Sequence, residues 1–405
     1  MWTRRDLMLF AACAAHAACG EGPLLHAAPA ERARRVARWI TRDGLDAAAR
    51  SAARIALAGC PSEAVDPSGT TSHALSGVGF ARRLAARMPP ERAPLALIQA
   101  AGFAADEVAR SPYFTGRWEL PAPAPGVSAA ELRAALDAHD VARADAAALA
   151  AGGSAWPELY RRAFGALGHV GHGPIAVGVA ASLGDPGLVR SPARYLASIA
   201  LADATAAEVE AARGGGLFGR AAQLAERARG GESAEGSGQA LVRDAAELVH
   251  AARRVDAATC HVVAWCDAAA ASGALESLLA AAGWLDRVEG GGTELGPWSS
   301  PPPLAPRPGG LAELAAAVRA RDPDGAAAIA AGMPSTPALW AYLAEAAVVN
   351  AAVTVQHTVE LVAITPDTPA GRAAAARFLA WAHGGEGDDY HDALAATGLR
   401  RHPLV

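Results

Sequence analysis

An all-α fold follows from three features of this 405-residue chain. Alanine, leucine and arginine are abundant, aromatic residues make up only 5% and β-branched runs are few. Ala and Leu lose little rotamer freedom in a helix, so this balance favours helix over strand. Apolar residues recur at helical spacing over stretches of about 12 to 20 residues. Pro-, Gly- and Ser-rich breaks at 121–126, 214–238 and 290–310 separate those stretches. With 52% hydrophobic residues, the chain can bury a sizeable core.

Taken in order, residues 1–25 form either a helix or an export signal. Thr3-Arg4-Arg5-Asp6 followed by the apolar residues 7–18 is similar to a short twin-arginine signal, with Ala15-His16-Ala17 as an A-x-A cleavage site. Thr3 with Asp6 equally makes a capping-box-like helix start. A cytoplasmic protein is expected, with export as the alternative. Residues 26–213 make a first helical half and 239–405 a second. Between them, 214–238 reads as a Gly-rich linker that carries a short surface helix at 221–229. No run reaches the roughly 18 apolar residues of a membrane span, so none is expected.

The composition excludes several chemistries. All 36 basic residues are arginine, which removes Schiff-base lysines, pyridoxal phosphate anchoring and a Walker lysine. The net charge of −5 and the interspersed acids and arginines, as at 31–42, leave no basic face for nucleic acid. The five cysteines, Cys13, Cys19, Cys60, Cys260 and Cys266, form no C-x-x-C pair and read as small core fillers.

Against this background four histidines stand out. His73, His172, His261 and His357 each head a small-residue apolar stretch, and they recur 99, 89 and 96 residues apart. Each is followed by a helix, a turn and a further helix, as in HALSGVGFARRLAARMPPERAPLALIQAAGFA and HGPIAVGVAASLGDPGLVRSPARYLASIALA. Segments 132–152 and 314–332 also resemble each other. The reading is a set of pseudo-repeats of about 95 residues that form a closed or arched helical array around a histidine-lined cavity.

Helical geometry supplies partners for these four. His250 lies eleven residues before His261 and Asn350 seven before His357, so each returns to nearly the same face. His169 and His172 are three apart, and His357 with Glu360 repeats that offset with a carboxylate. Such a set suits iron, copper, manganese or zinc. His139, His383, His391 and His402 read instead as core residues bonded to a carbonyl, and Trp265, Trp284, Trp340 and Trp381 as packing. A repeated buried imidazole is different, because Leu or Met fills space without needing a partner.

The blocks LAGCPSEAVDPSGTTSH (57–73), GRWELPAP (116–123), GHGPI (171–175), CHVVAWCDAAAA (260–271) and the His357 segment resemble a bacterial all-helical family with one His per block. Some of its members are joined to a Rieske-type iron–sulfur domain, and the family is distantly similar to questin oxidase-like proteins. The resemblance covers residue 57 to the C-terminus and implies oxygen-dependent redox chemistry. Arg82 stands where that pattern has a polar or His position, and Gln356 where it has Asn or Asp. No Rieske cysteine–histidine pairs occur, so electrons would come from an external donor or a redox-partner protein.

The expectation is a metal-dependent oxidoreductase or oxygenase acting on a small apolar molecule. His73, His172, His261 and His357 would be its ligands or proton-handling groups, with His169, His250, Asn350 and Glu360 supporting them. Iron is the first expectation for the metal, with copper or zinc as alternatives. The competing expectation is a non-catalytic helical scaffold or small-ligand binder.

Overall fold

The computed structural model describes residues 22–60, 73–111, 114, 122–165, 171–199, 219–251, 257–289, 305–349, 355–384 and 388–405. The fold is all-α, with no strand among these residues. After a short turn of helix at Gly22–Leu25 come α1 (Pro29–Asp43), α2 (Leu45–Ile55), α3 (His73–Ala85) and α4 (Ala93–Arg110). They are followed by α5 (Leu132–Asp137), α6 (Val141–Ala151), α7 (Trp156–Gly165), α8 (His172–Leu183) and α9 (Arg190–Ser198). Next are α10 (Gly219–Arg229), α11 (Ala234–Ala251), α12 (Ala257–Ser272) and α13 (Leu275–Glu289). The chain ends with α14 (Leu311–Arg319), α15 (Pro323–Gly332), α16 (Pro337–Val349), α17 (Val355–Ile364), α18 (Pro369–Ala382) and α19 (Asp388–Thr397).

The expected export signal and the 121 end of the first break lie outside the described residues. Where it is described, the segment holds the expected short helix, Gly219–Arg229, then a turn at 230–233, and its last residues are already helical. Gly219–Arg229 packs on α13 through buried Ala221 and Leu224, and Ala234 already begins α11. Glycines there do not loosen the chain. Gly238 sits inside α11, where a Cβ would stand 2.7 Å from the Ala270 side chain, so its role is close packing.

The likeness between 132–152 and 314–332 has a structural counterpart. Both segments are helix–turn–helix units, α5–α6 and α14–α15, and both turn through a left-handed residue, His139 (φ 55°) and Arg321 (φ 56°). The next residue in each is an aspartate that caps the second helix, Asp140 accepting from the Arg143 amide and Asp322 from the Gly325 amide. The aspartate amides donate back to Ala135 and Ala317, each at 3.0 Å, closing the same turn.

The four helices that carry the repeated histidines pack in a closed circuit, α3 on α8, α8 on α12, α12 on α17 and α17 on α3. Each also packs on the helix before it and the helix after it, giving the trios α2–α3–α4, α7–α8–α9, α11–α12–α13 and α16–α17–α18. The four run in the same direction. His73 meets His172, Gly79 meets Val179, and Arg82 donates to the Ser182 carbonyl at 3.1 Å, so α3 and α8 keep one parallel register. Gly178 against Ala268, with His172 beside His261, gives the same result for α8 and α12.

Small residues set the spacing of this circuit. A Cβ on Gly79 would reach 2.2 Å from Val179, and one on Gly178 would reach 2.8 Å from the Ala268 Cβ and 3.1 Å from its Cα. Gly77 leaves room for the buried side chain of Gln356 between α3 and α17. Gly178→Ala is therefore expected to destabilise the protein by about 1–3 kcal/mol, the range for overpacking a tight interior. Gly283→Ala, in α13 with nothing within 4 Å of the added methyl, is expected to be neutral or to stabilise by up to about 1 kcal/mol. Denaturant midpoints of the two variants test this; equal midpoints would contradict it.

Candidate metal centre

The parallel circuit brings together residues that are nearly a hundred positions apart. His73 and His172 are the first residues of α3 and α8, His261 lies in the second turn of α12, and His357 in the first turn of α17. Ring centroids are 4.8 Å apart for His73–His172, 4.6 Å for His172–His261, 5.0 Å for His261–His357 and 5.0 Å for His73–His357. His172, His261 and His357 are buried, and His73 is only partly exposed. All four expected histidines therefore meet.

Their nitrogens approach at a spacing suited to coordination. Nε2 of His73 and Nε2 of His172 are 3.1 Å apart. Two nitrogens on one ion, each about 2.0–2.1 Å from it, stand roughly 3.0–3.4 Å apart in octahedral or tetrahedral geometry. Donor atoms of His73, His172 and His261 all fall within 4.8 Å of one another, and so do those of Cys260, His261 and His357.

At His357 the environment favours neutral imidazole, which is the form that binds metal. Burial, assisted by nearby His73, holds His357 at a pKa of about 3, far below the usual 6.5. The starts of four parallel helices also converge here, and the positive ends of their dipoles disfavour a second positive charge.

Two acidic residues flank the histidines. Glu107, on α4, is buried with Oε1 3.6 Å from His73 Nδ1 and with Oε2 lacking a hydrogen-bond partner among the described residues. A carboxylate bonded to a histidine's second nitrogen fixes the ring and its tautomer, and at 3.6 Å Glu107 stands just beyond hydrogen-bond reach of that position. Glu360, one turn beyond His357, is fully buried, and neither oxygen has a hydrogen-bond partner among the described residues. Burial first and the Asp267 charge second push its carboxyl well above the usual range. Asp267 itself, on α12, is held by a two-pronged contact from Arg83 of α3.

Of the other expected residues, Glu360 lies beside the group, whereas His169 and Asn350 fall outside the described residues. His250 is buried at the end of α11, where its carbonyl accepts from Arg377 at 2.8 Å, and it belongs to neither compact donor group. Burial and Arg377 lower its pKa. Among the histidines read as core, His139 Nδ1 lies 3.2 Å from the Ala197 carbonyl, but His391 is exposed on α19. Trp265 is buried packing, and Trp340 lies under the Arg87 guanidinium at 4.1 Å. Sequence reasoning missed Cys260 and Glu107. Cys260 precedes His261 directly, and Glu107 interrupts an Ala-rich buried face, which was the available signal.

A separate cleft lies among Trp156, Tyr160, Phe164, Ala181, Ser272 and Ser277. Trp156, Tyr160 and Phe164 come from α7 and Ser277 from α13, while Ala181 and Ser272 lie at the far ends of α8 and α12, away from their histidines. Comparison of the chain with family models, with curated proteins and with solved structures gave no match in any of the three.

The low pKa of His357 has a thermodynamic consequence for the ion-free protein. Between the ordinary histidine value of 6.5 and about 3, the unfolded chain binds a proton at this residue and the folded chain does not. Stability from this group is therefore present above that window and is lost as pH falls through it. Chelator-treated His357→Gln is expected to lose less stability than the parent between pH 7 and 5 in urea titrations. Identical losses would show that His357 titrates normally.

Proposed function

We propose that the four-histidine cluster binds a transition-metal ion and that the protein is a metal-dependent oxidoreductase acting on a small apolar molecule. The observation that carries this reading is the convergence of His73, His172, His261 and His357, with neighbouring rings 4.6–5.0 Å apart. A structural histidine needs one carbonyl to satisfy it, as His139 has. Four imidazoles from four helices face one another, and their donor atoms fall into two overlapping triads, His73–His172–His261 and Cys260–His261–His357.

Nitrogen-rich sites with carboxylates nearby suit iron first, then copper or zinc. Iron and copper fit an oxidoreductase because they change oxidation state, and dioxygen is the oxidant that the reading names. Electrons beyond those of the substrate would come from an external donor or a redox-partner protein. The low-dielectric surroundings favour an apolar substrate, since a charged one would have to be desolvated to reach the site. The resemblance to questin oxidase-like proteins points the same way. No described helix is long and apolar enough to cross a membrane.

Elemental analysis and an absorption spectrum of the purified protein test the proposal. Iron or copper is expected in stoichiometric amount, and alanine in place of any one of the four histidines is expected to lower metal affinity at least tenfold. A chain that stays metal-free after incubation with Fe(II), Cu(II) and Zn(II) would overturn it, leaving a helical scaffold.

A further inference from the structure

The carboxylates of the core fall into two sorts. Asp145 is held by Arg190 and Arg194, Asp185 by Arg54 at 2.6 Å, and Glu345 by Arg92 and the Tyr390 hydroxyl. These three buried acids have a guanidinium to offset their charge. Glu107 and Glu360 are the two buried acids that have no arginine among the described residues. Both lie against the histidine helices, Glu107 behind His73 and Glu360 one turn beyond His357. Buried carboxyl oxygens with no guanidinium are satisfied by holding their own proton or by a cation, and these two stand where a cation among the histidines could reach them.

The supply of donors exceeds what one ion uses. Four imidazoles, the Cys260 thiol and two carboxyls make seven groups, whereas a first-row ion takes about four to six. The donors also divide into two compact sets that share His261, namely His73–His172–His261 and Cys260–His261–His357. Neutral imidazoles offset none of the charge that divalent ions would bring into this interior.

We infer that the centre holds two metal ions, one on His73 and His172 beside Glu107 and one on Cys260 and His357 with Glu360 as its carboxylate, with His261 between them serving one ion only. This rests on the metal-centre reading above and adds its stoichiometry and ligands. Paired ions about 3.5–4 Å apart form a recurrent catalytic arrangement. Glu360 stands outside both compact sets, and the gap to cover is one helical turn, about 5–6 Å between Cβ atoms.

The test is titration of the chelator-treated full-length chain with Co(II), followed by gel filtration and elemental analysis, with circular dichroism to check each variant's fold. The wild-type chain is expected to retain two Co(II) per chain, and Glu360→Gln about one. Saturation of the wild-type chain at one Co(II) would overturn the two-ion inference and leave the metal centre standing. Retention of two by a folded Glu360→Gln would overturn the assignment of Glu360. No retained Co(II) in the wild-type chain would overturn both readings, and the wild-type count decides even if the variant fails to fold.

Discussion

Enclosing four imidazoles together and away from water is the constraint on which the rest of this structure depends. Each unsatisfied buried polar group costs roughly 1–3 kcal/mol, and a protonated ring would cost more. His73 and His172 meet through a single Nε2 contact of 3.1 Å. Burial, assisted by nearby His73, holds the His357 pKa far below the usual value and disfavours a proton on that ring.

The helical framework delivers the rings by parallel packing. α3, α8, α12 and α17 can start from one region and run together only if their faces are narrow, and Gly79 and Gly178 supply that narrowness. The outer helix pairs hold the circuit without crowding it. Convergent helix starts then add a positive field, so the backbone favours anionic groups where the side chains offer Glu107 and Glu360. Fold and site electrostatics thus have one origin, the common direction of the four helices.

Much of this was legible in the sequence. The helical class followed from Ala and Leu content, and the four ligand candidates followed from recurrence of a residue that a core does not need. The match between 132–152 and 314–332 reappeared as two capped turns of the same geometry. What could not be read depended on three-dimensional neighbours. Glu107 is 34 residues from His73 and reaches it only because α4 folds back on α3. Cys260 looked like filler because its helix neighbour His261 drew the attention, and helical spacing alone does not say that adjacent residues serve one site. The short helix expected at 221–229 is present, whereas Gly238, read as the end of the linker, lies inside α11 and permits close contact with Ala270. His250 shares a helical phase with His261 by count, but the two lie on different helices, so the count carries no geometry.

The central claim is spatial, that an ion sits within the histidine cluster on nitrogens of His73, His172 and His261. X-ray diffraction from metal-soaked crystals, with data on both sides of the metal's absorption edge, tests it most directly. An anomalous peak about 2.0–2.2 Å from nitrogens of His73, His172 or His261 is the expected result. Peaks confined to surface carboxylates or exposed histidines such as His391, with none among the four rings, would contradict it.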